Sequence, residues 1–596
     1  MKKTLCLLLA LLMLGSMLAG CASTPAEPDN TTDNTQQGND SQTQDPTHDQ
    51  SEANVEQPAS DSVTGVDRDK ANAIEAVEEG ALITDADSIH TLWVNSSPYN
   101  FAKLVDNYPA DTAYPLVDEP TTLSCWMGWS SYASGNGQLE TPNDSPAFKE
   151  ATEKTGITIK WTLSNDIATQ FPLLLASEEY TDMFINGNVA GQLNAYLEDE
   201  IIYDLTDLIP TYAPNYHALR MDDFDFARRS ITDDGRLLGM YGVQPVGSLS
   251  FWSPVARTDW VGDLDPYTYD DWHELLVNFR DEHNCPRPYM LDPNGQDTYM
   301  MAGFNVGASW IVIDGEVRHS ITEDGYVEYL NLMRQWYEEG LINSSFYQDI
   351  GLVFDHAFCA TDEVGVFCTG YQYLELYESY NDDPNFHLAG LRIPVKEKGD
   401  KRLIELSVSR TRIMNELICV FSSCQNPELA VQYMDFWFSP EGAMLKGYGV
   451  EGESYYLDED GIPMLSDMIL NPTDPSMNSN IWRNLFIADY FPGLMDWTRD
   501  MKGGMSEYSL EAPMKWDYNW VDTISFPKVT RTQEETEDYS FIMSDIETRI
   551  NETIVHFITG EKSMDEWDAF LDELNGMGLD DARQIQQQAY DRFMAR

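Results

Sequence analysis

Aromatic side chains near the ends of predicted strands are the residues of this 596-residue chain best suited to a chemical task. Indole and phenol rings stack on the apolar C–H faces of sugars, and a few placed polar groups pair with the hydroxyls. The candidates are Trp126, Trp129, Asn186, Trp252, Trp310, Tyr371 and Tyr373. Each is also compatible with a packed core or surface position, so sugar binding at these residues is a hypothesis.

Sequence motifs of common catalytic sites are missing. His273-Glu274 is followed by Leu275-Leu276-Val277 and not by a second zinc-binding histidine, and the chain has neither a P-loop nor a nucleophile elbow. Asp458-Glu459-Asp460-Gly461 lacks the alternating ligands of a calcium loop and is typical of a hairpin turn. We therefore predict no enzyme activity, no cofactor and no metal site. A glycoside hydrolase stays open, since it needs only two nearby carboxylates and the chain has 100 Asp and Glu residues.

The charge balance of the chain excludes one class of partner. Lys and Arg total 36 against 100 Asp and Glu, which gives a formal net charge of -64. Such a chain is repelled by nucleic acid and by anionic lipid headgroups, so we predict no nucleic-acid partner. With 42% hydrophobic residues the chain has enough material for a core, and its length indicates two or more domains.

Cysteine usage leaves the redox state open. Outside the first 21 residues there are six cysteines, at 125, 285, 359, 368, 419 and 424. An even number permits disulfides outside the cytoplasm, with Cys359–Cys368 and Cys419–Cys424 nearest in sequence. Buried free thiols are equally compatible with this pattern.

The N-terminus is typical of an exported chain. Lys2 and Lys3 precede an apolar run from Leu5 to Leu18, which is too short for a comfortable transmembrane helix. The sequence Leu18-Ala19-Gly20-Cys21 resembles the lipobox of bacterial lipoproteins, which implies acylation at Cys21, a palmitate-type membrane anchor. An ordinary secretory signal with an incidental cysteine is the alternative. We assign residues 1–20 to a signal peptide and residues 21–113 to a lipidated N-terminus, a disordered tether and an extension.

Strands and helices alternate where the globular part begins. Residues 121–126 read as a strand, Ser145 and Pro146 begin a helix that Thr155-Gly156 ends, and Ile157, Ile159 and Trp161 alternate as a second strand. A helix over residues 168–177 and a buried strand over residues 182–185 follow. This order predicts parallel α/β units, which bind ligands beyond the carboxyl ends of their strands. Residues 126–130 and 186–188 are therefore expected at the mouth of a site.

The later part of the chain is mostly helical. Ile542, Ile546, Ile550, Ile554 and Ile558 form a stripe with a spacing of four residues, and a capping box begins at Ser563. Such stripes are typical of helices packed on a core. Trp516 and Trp520 lie in an aromatic stretch that fits either a binding site or packing.

Ten motifs, in their order along the chain, resemble the extracellular solute-binding lipoproteins of bacterial ABC importers, in the oligosaccharide-binding branch. They are residues 147–157, Asp204-Leu205-Thr206-Asp207-Leu208-Ile209, Asp234-Gly235-Arg236, Arg257-Thr258-Asp259-Trp260, Tyr269-Asp270-Asp271-Trp272, residues 337–343, Asn426-Pro427-Glu428-Leu429-Ala430, residues 448–455, Phe557-Ile558-Thr559-Gly560 and Ala589-Tyr590-Asp591-Arg592.

The resemblance implies an α/β, two-lobe periplasmic-binding-protein-like fold of type II, with mixed sheets flanked by helices and a helical C-terminal region. We expect an N-terminal lobe of residues 114–245 plus 372–412, and a C-terminal lobe of residues 246–371 plus 413–596. The expected crossovers are residues 241–250, 367–372 and 410–416, because strand-like runs meet glycine or a break in pattern there.

The same resemblance implies a monomeric receptor, anchored by lipid at the extracellular face of the bacterial membrane. It would capture a carbohydrate, an oligosaccharide in particular, between its lobes and deliver it to the transmembrane subunits of an ABC permease. A surface-anchored glycoside hydrolase and a receptor of the same fold for peptides or another solute are the alternatives.

Overall fold

The computed structural model describes residues 112–244, 250–404, 412–459, 461–474, 477, 479–496, 499, 507–517 and 524–596. The predicted signal peptide, Cys21, the tether and Trp520 lie outside these residues. Within them, no helix is long and apolar enough to cross a membrane. Residues 168–179 belong to one compact unit, and the other described residues form a second unit, which holds both lobes discussed below.

Thirteen strands are described. They are β1 (Thr121–Gly128), β2 (Ile157–Ser164), β3 (Met183–Ile185), β4 (Met240–Val243), β5 (Trp252–Arg257), β6 (Arg287–Tyr289), β7 (Trp310–Ile313), β8 (Glu316–His319), β9 (Val364–Gly370), β10 (Leu388–Gly390), β11 (Ile413–Val420), β12 (Tyr455–Leu457) and β13 (Pro463–Leu465).

Twenty α-helices are described. They are α1 (Pro146–Thr155), α2 (Ile167–Ser177), α3 (Leu193–Glu198), α4 (Leu208–Tyr212), α5 (Pro214–Met221), α6 (Phe224–Arg229), α7 (Thr258–Val261), α8 (Tyr269–Glu282), α9 (Thr298–Ala302), α10 (Asp324–Glu338), α11 (His356–Cys359), α12 (Leu374–Glu378), α13 (Pro427–Phe436), α14 (Pro440–Gly447), α15 (Asp467–Leu470), α16 (Ser479–Arg483), α17 (Glu507–Asp517), α18 (Gln533–Thr559), α19 (Trp567–Gly576) and α20 (Leu579–Ala595).

The first sheet has the strand order β2-β1-β3-β11-β4. Strands β1, β2 and β3 pair in parallel, whereas β11 runs antiparallel between β3 and β4. The predicted helix over α1 is confirmed: the Ser145 side chain accepts from the Phe148 amide, and Gly156 ends the helix with φ 75°. We call the described residues of 112–167, 180–244 and 412–499 the first lobe, because one apolar core holds most of their buried apolar side chains.

The second sheet has the order β10-β5-β9-β6, in which only β6 and β9 pair in parallel. Helices α8, α10, α18 and α19 pack on its core. The predicted isoleucine stripe of α18 is confirmed, since Ile546, Ile550, Ile554 and Ile558 are buried and Ile542 is partly buried. We call residues 250–404 and 507–596, as far as they are described, the second lobe.

The predicted lobe boundaries are wrong in two places. Residues 372–404 belong to the second lobe, because β10 pairs with β5 and α12 packs on the second core. Strand β11 and helices α13 and α14 belong to the first lobe. The fully buried run at the end of β11 needs strands on both sides, and β3 and β4 supply them.

The chain passes between the lobes after β4 and again before β11. The crossovers predicted at residues 241–250 and 410–416 overlap these connections, and residues 245–249, 410 and 411 lie outside the described residues. The crossover predicted at residues 367–372 is wrong, since β9 continues into a short 3-10 helix and α12 within the second lobe. A further passage lies between Leu494, in the first core, and Ala512, in the second.

The fold shows the state of the cysteines and the structure of the segment after Leu457. All six cysteines of the described chain carry free thiols, so neither of the neighbouring pairs is a disulfide. Strands β12 and β13 form an antiparallel hairpin, and Gly461 between them has φ 77°. The interpretation of the segment after Leu457 as a hairpin turn is thereby confirmed.

The last helix of the second lobe also touches the first lobe. Arg592 on α20 donates to Asp233 of the first lobe at 2.6 Å and to Glu535 of α18 at 2.8 Å. The guanidinium of Arg228 lies 4.5 Å from the centre of the Phe593 ring. Asp233 also accepts from Thr530 at 3.2 Å. We call this set of contacts the lobe bridge.

Candidate functional site

A cleft with a volume of about 1210 Å³ lies between the two lobes. The first lobe contributes Tyr132, Gly187, Ala190, Gly191, Arg229, Tyr241, Gln244, Ile413, Met414, Asn415, Glu416, Arg483, Asp489, Tyr490, Met495 and Arg499 to its lining. The second lobe contributes Phe251, Thr298, Gly307, Ala308, Ser309, Trp310, Gln372, Tyr373, Ile404, Ser525, Phe526, Pro527, Lys528, Val529, Thr530, Arg531, Tyr539 and Gln586.

A tight turn after β3 forms part of the first-lobe wall. The Asn186 side chain accepts from the Asn188 amide at 3.1 Å and so caps a 3-10 helix, Gly187–Gln192. A Cβ on Gly187 would lie 1.7 Å from the carbonyl oxygen of Asn415, so only glycine fits against β11 here. The local sequence thereby places the small residues of this turn directly at the cleft.

The second-lobe wall is built on an aromatic pair. Trp310, at the start of β7, donates its Nε1 hydrogen to the Tyr539 hydroxyl at 2.7 Å. The Arg531 guanidinium lies 4.2 Å from the Tyr539 ring centre and donates to Gln586 at 3.1 Å. These contacts fix one ring on β7, one ring on α18 and one cation in the segment before α18.

A buried ionic cluster lies on the opposite wall. Asp489 accepts from Arg499 at 2.9 Å and from Arg483 at 3.3 Å. The Lys446 ammonium lies behind it and donates to the Phe491 carbonyl at 2.8 Å. Burial would raise the pKa of the Asp489 carboxyl, but the charges of Arg499, Arg483 and Lys446 outweigh it and hold the pKa below its usual range. Asp489 is therefore ionised at neutral pH.

Some polar atoms of the lining residues are shielded from solvent and have no hydrogen-bond partner among the residues that the structure describes. They are Oε2 of Glu416, the hydroxyl oxygen of Tyr490 and Nε of Arg531. Shielded polar groups cost free energy unless they are paired. A ligand with hydroxyl groups would supply donors and acceptors to these atoms.

Two of the seven predicted binding residues line the cleft, namely Trp310 and Tyr373. Two more support it from behind: Trp252 lies 6.4 Å from Tyr373 between ring centres, and Asn186 caps the turn described above. Burial raises the pKa of the Tyr373 hydroxyl to about 12, so this group is a neutral donor near pH 7.

The other three candidates lie outside the lining. Trp126 is buried in β1, and Tyr371 is buried in the second core beside Phe251. Trp129 packs edge-on against Tyr490, so it backs a cleft residue without reaching the cleft. Trp516 is fully buried and donates to the Pro254 carbonyl, which makes it a packing residue.

The charged residues of the cleft were not found from the sequence. Arg483, Arg499 and Arg531 stand in no motif, and a solvated arginine has the same sequence signature as one in a cleft. The scarcity of basic residues in this chain is the one signal that could have drawn attention to them. No group of three or more His, Cys, Asp or Glu side chains able to hold a metal ion occurs in the described part of the chain.

Comparison with known proteins finds related chains, although no family model matches the chain. It is 23% identical over 494 residues to the fructooligosaccharide ABC transporter substrate-binding protein FusA of Streptococcus pneumoniae serotype 4. The aligned region covers 76% of this chain and 88% of FusA. It is also 24% identical over 234 residues to lipoprotein LipO of Bacillus subtilis, and this aligned region covers 35% of this chain and 43% of LipO.

The fold is shared with solved structures. The alginate-binding protein AlgQ2 matches with a TM-score of 0.64 and 21% identity over 80% of this chain and 100% of AlgQ2. FusA in complex with kestose matches with a TM-score of 0.62 and 19% identity over 80% of this chain and 99% of FusA. The predicted α/β two-lobe fold with a helical C-terminal region is thereby confirmed. In sequence and in fold, the chain is similar to the substrate-binding proteins of ABC carbohydrate importers.

Proposed function

We propose that this protein is a membrane-anchored, extracellular solute-binding protein that captures an oligosaccharide between its lobes and delivers it to an ABC permease. The observation that carries the proposal is the cleft of about 1210 Å³, which combines aromatic rings with shielded, unpaired polar atoms. FusA, the relative that covers most of the chain, is a substrate-binding protein for fructooligosaccharides, which supports the assignment.

The size and lining of the cleft suit a ligand of several sugar units. Sites for small organic ligands measure roughly 300–1,000 Å³, so a cleft of about 1210 Å³ has room beyond a single ring. Trp310 and Tyr373 of the second lobe and Tyr490 of the first supply faces or edges for stacking from both sides. Binding to both walls would stabilise the closed arrangement of the lobes that a permease could recognise.

The acids of the cleft argue against hydrolysis. Among the described lining residues the carboxylates are Glu416 and Asp489. A glycosidase of the common type needs one carboxyl as the acid and a second one free to act as base or nucleophile, and the Asp489 carboxylate is held in ion pairs with Arg483 and Arg499. We therefore propose that the protein is not an enzyme.

The anchor and the partner are supported by sequence. The lipobox-like Leu18-Ala19-Gly20-Cys21 and the relative LipO, a lipoprotein, support acylation at Cys21 and a location at the outer face of the cell membrane. The relative FusA is a component of an ABC transporter, which supports permease subunits as the partner. We propose that the receptor itself acts as a monomer.

A thermal-shift screen of the protein without its first 21 residues tests the proposal. The panel holds mono- and oligosaccharides together with peptides, and a ligand specific for the folded state stabilises it by about 2.7 kcal/mol at a hundredfold excess over Kd. We expect a rise in melting temperature with one class of oligosaccharide and no change in the sugar by chromatography. Shorter sugars in the mixture would instead assign a hydrolase, and a shift with peptides alone would overturn the substrate class.

A further inference from the structure

A row of aromatic rings leads from the cleft wall to the solvent-exposed surface of the second lobe. Tyr373 lines the cleft, and the ring centre of Trp252 lies 6.4 Å from that of Tyr373. Phe354 continues the row, since its ring centre lies 5.7 Å from that of Trp252. Phe354 is 65% exposed, whereas Trp252 and Tyr373 are partly buried. We call Trp252, Phe354 and Tyr373 the aromatic shelf.

Two further rings border the aromatic shelf. The imidazole of His356 lies 6.4 Å from the Tyr373 ring, between centres, and the two planes are inclined by only 22°. On its other side the imidazole lies 6.1 Å from the ring of Tyr380, which is exposed. Burial lowers the pKa of the His356 imidazole, so this group is neutral near pH 7 and can both donate to and accept from a hydroxyl group.

The exposed position of Phe354 is fixed by the segment that carries it. Leu352, Val353 and Phe354 form a 3-10 helix, in which Leu352 and Val353 pack on the second core. The Tyr377 hydroxyl donates to the Val353 carbonyl at 2.9 Å, and the Cys359 thiol donates to the Leu352 carbonyl at 3.4 Å. Because the two preceding residues are held inward, the ring of Phe354 is held at the surface beside Trp252.

The aromatic shelf retains apolar surface that a ligand can cover. Apolar residues scattered singly on a surface need no function, whereas a contiguous patch beside a binding cleft marks an interaction site. Aromatic rings of this kind stack on the apolar C–H faces of sugars. Since the shelf is continuous with the cleft through Tyr373, the end of a carbohydrate chain bound in the cleft is the group placed to reach it.

We propose that the aromatic shelf is a second subsite, which binds those sugar units of a long oligosaccharide that extend beyond the cleft. This inference rests on the proposed function and adds a requirement for ligand length. A short ligand would occupy the cleft alone. A longer one would also stack on Trp252 and Phe354 and place a hydroxyl group near His356, so the affinity should rise with chain length until the shelf is covered.

Titration calorimetry with oligosaccharides of increasing length tests the proposal. The probes are length series of neutral fructans, glucans, xylans and mannans, each from the disaccharide to the octasaccharide. Neutral probes suffice, because stacking on the rings of the shelf requires no charge on the ligand. We expect one series to bind and its long members to bind about tenfold more tightly than its shortest binding member, as two added stacking contacts would give.

Variants separate the aromatic shelf from the cleft, which also gains contacts as a ligand lengthens. Phe354→Ala should weaken binding of the long ligands about three- to tenfold and leave the shortest binding ligand unaffected, because only the long ones reach this ring. Phe354→Tyr keeps a ring at this position and should keep the gain. Phe541→Ala, at a phenylalanine of α18 that is 82% exposed, is the matched control and should leave the affinity for every length unchanged.

The outcomes distinguish this inference from the proposed function. The subsite is refuted if Phe354→Ala binds long ligands as tightly as the wild type does, or if it loses the same factor for short and long ligands. The receptor function stands in both cases, because the wild-type protein binds sugar. If no sugar of any length binds to the wild type, the proposed function itself is overturned, and the subsite with it.

Discussion

Substitution of single aromatic residues should distinguish those that bind the ligand from those that stabilise the fold. Tyr373 lines the cleft, so Tyr373→Ala should weaken ligand binding roughly three- to tenfold, the range expected for one stacking contact, with little change in melting temperature. Trp126 is 3% exposed within β1, so Trp126→Ala should cost about 3–5 kcal/mol of stability. Calorimetry and thermal unfolding of both variants check this, and a Trp126→Ala protein of normal stability would contradict the assignment.

A buried histidine makes the stability of the second lobe depend on pH. His319 is buried below Trp310, and burial lowers the pKa of its imidazole to about 4. The imidazole stays neutral in the folded protein, whereas the unfolded chain binds a proton below about pH 6.5. The unfolded state therefore binds more protons between pH 6.5 and about 4, and stability falls by roughly 3 kcal/mol as the pH drops through this window.

The variant His319→Asn isolates this contribution. Nδ1 of His319 accepts from the Ile321 amide at 3.3 Å, and the asparagine oxygen can serve as the same cap without titrating. We expect a flatter dependence of melting temperature on pH between 4 and 7 in calorimetric scans. Phe541→Leu, at an exposed side chain of α18 that does not titrate, is the control and should keep the wild-type slope.

Among the elements that form the cleft, the turn after β3 contains a position, Gly187, at which contact with β11 excludes any side chain. Gly187→Ala would force the 3-10 helix Gly187–Gln192 away from β11, because the new methyl group meets the Asn415 carbonyl. We expect a loss of about 1–3 kcal/mol of stability together with weaker ligand binding. Gly576→Ala, at the end of α19 with nothing within 4 Å of the added carbon, should leave both quantities unchanged.

Elements with local signals were predictable and long-range pairings were not. The Ser145 cap of α1 and the isoleucine stripe of α18 depend on residues close in sequence, and both are confirmed. Strand β11 pairs with β3, more than 200 residues earlier, and no local pattern assigns it to that sheet. For the same reason aromatic candidates such as Trp310 could be proposed from their type, whereas Arg531 became a candidate only when the fold placed it beside Gly191.

For the molecule as a whole, the lobe bridge should limit how far the cleft opens. Asp233→Asn removes the charge that pairs with Arg592, and a hydrogen bond to a charged group is worth about 2 kcal/mol. We expect a larger radius of gyration of the ligand-free variant by small-angle X-ray scattering. The control is Asp580→Asn, whose ion pair lies within α20, and an equal expansion of both variants would refute the role of the bridge.

An anion that approaches this protein meets an electrostatic field of its own sign. The net charge of -64 repels it at long range, and the Debye length of about 8 Å at physiological salt limits how far this repulsion extends. Added salt screens this repulsion, so the association rate constant of an anionic ligand should rise with ionic strength in stopped-flow measurements. Partners of opposite charge associate faster at low salt, whereas this protein should bind an anionic ligand faster at high salt.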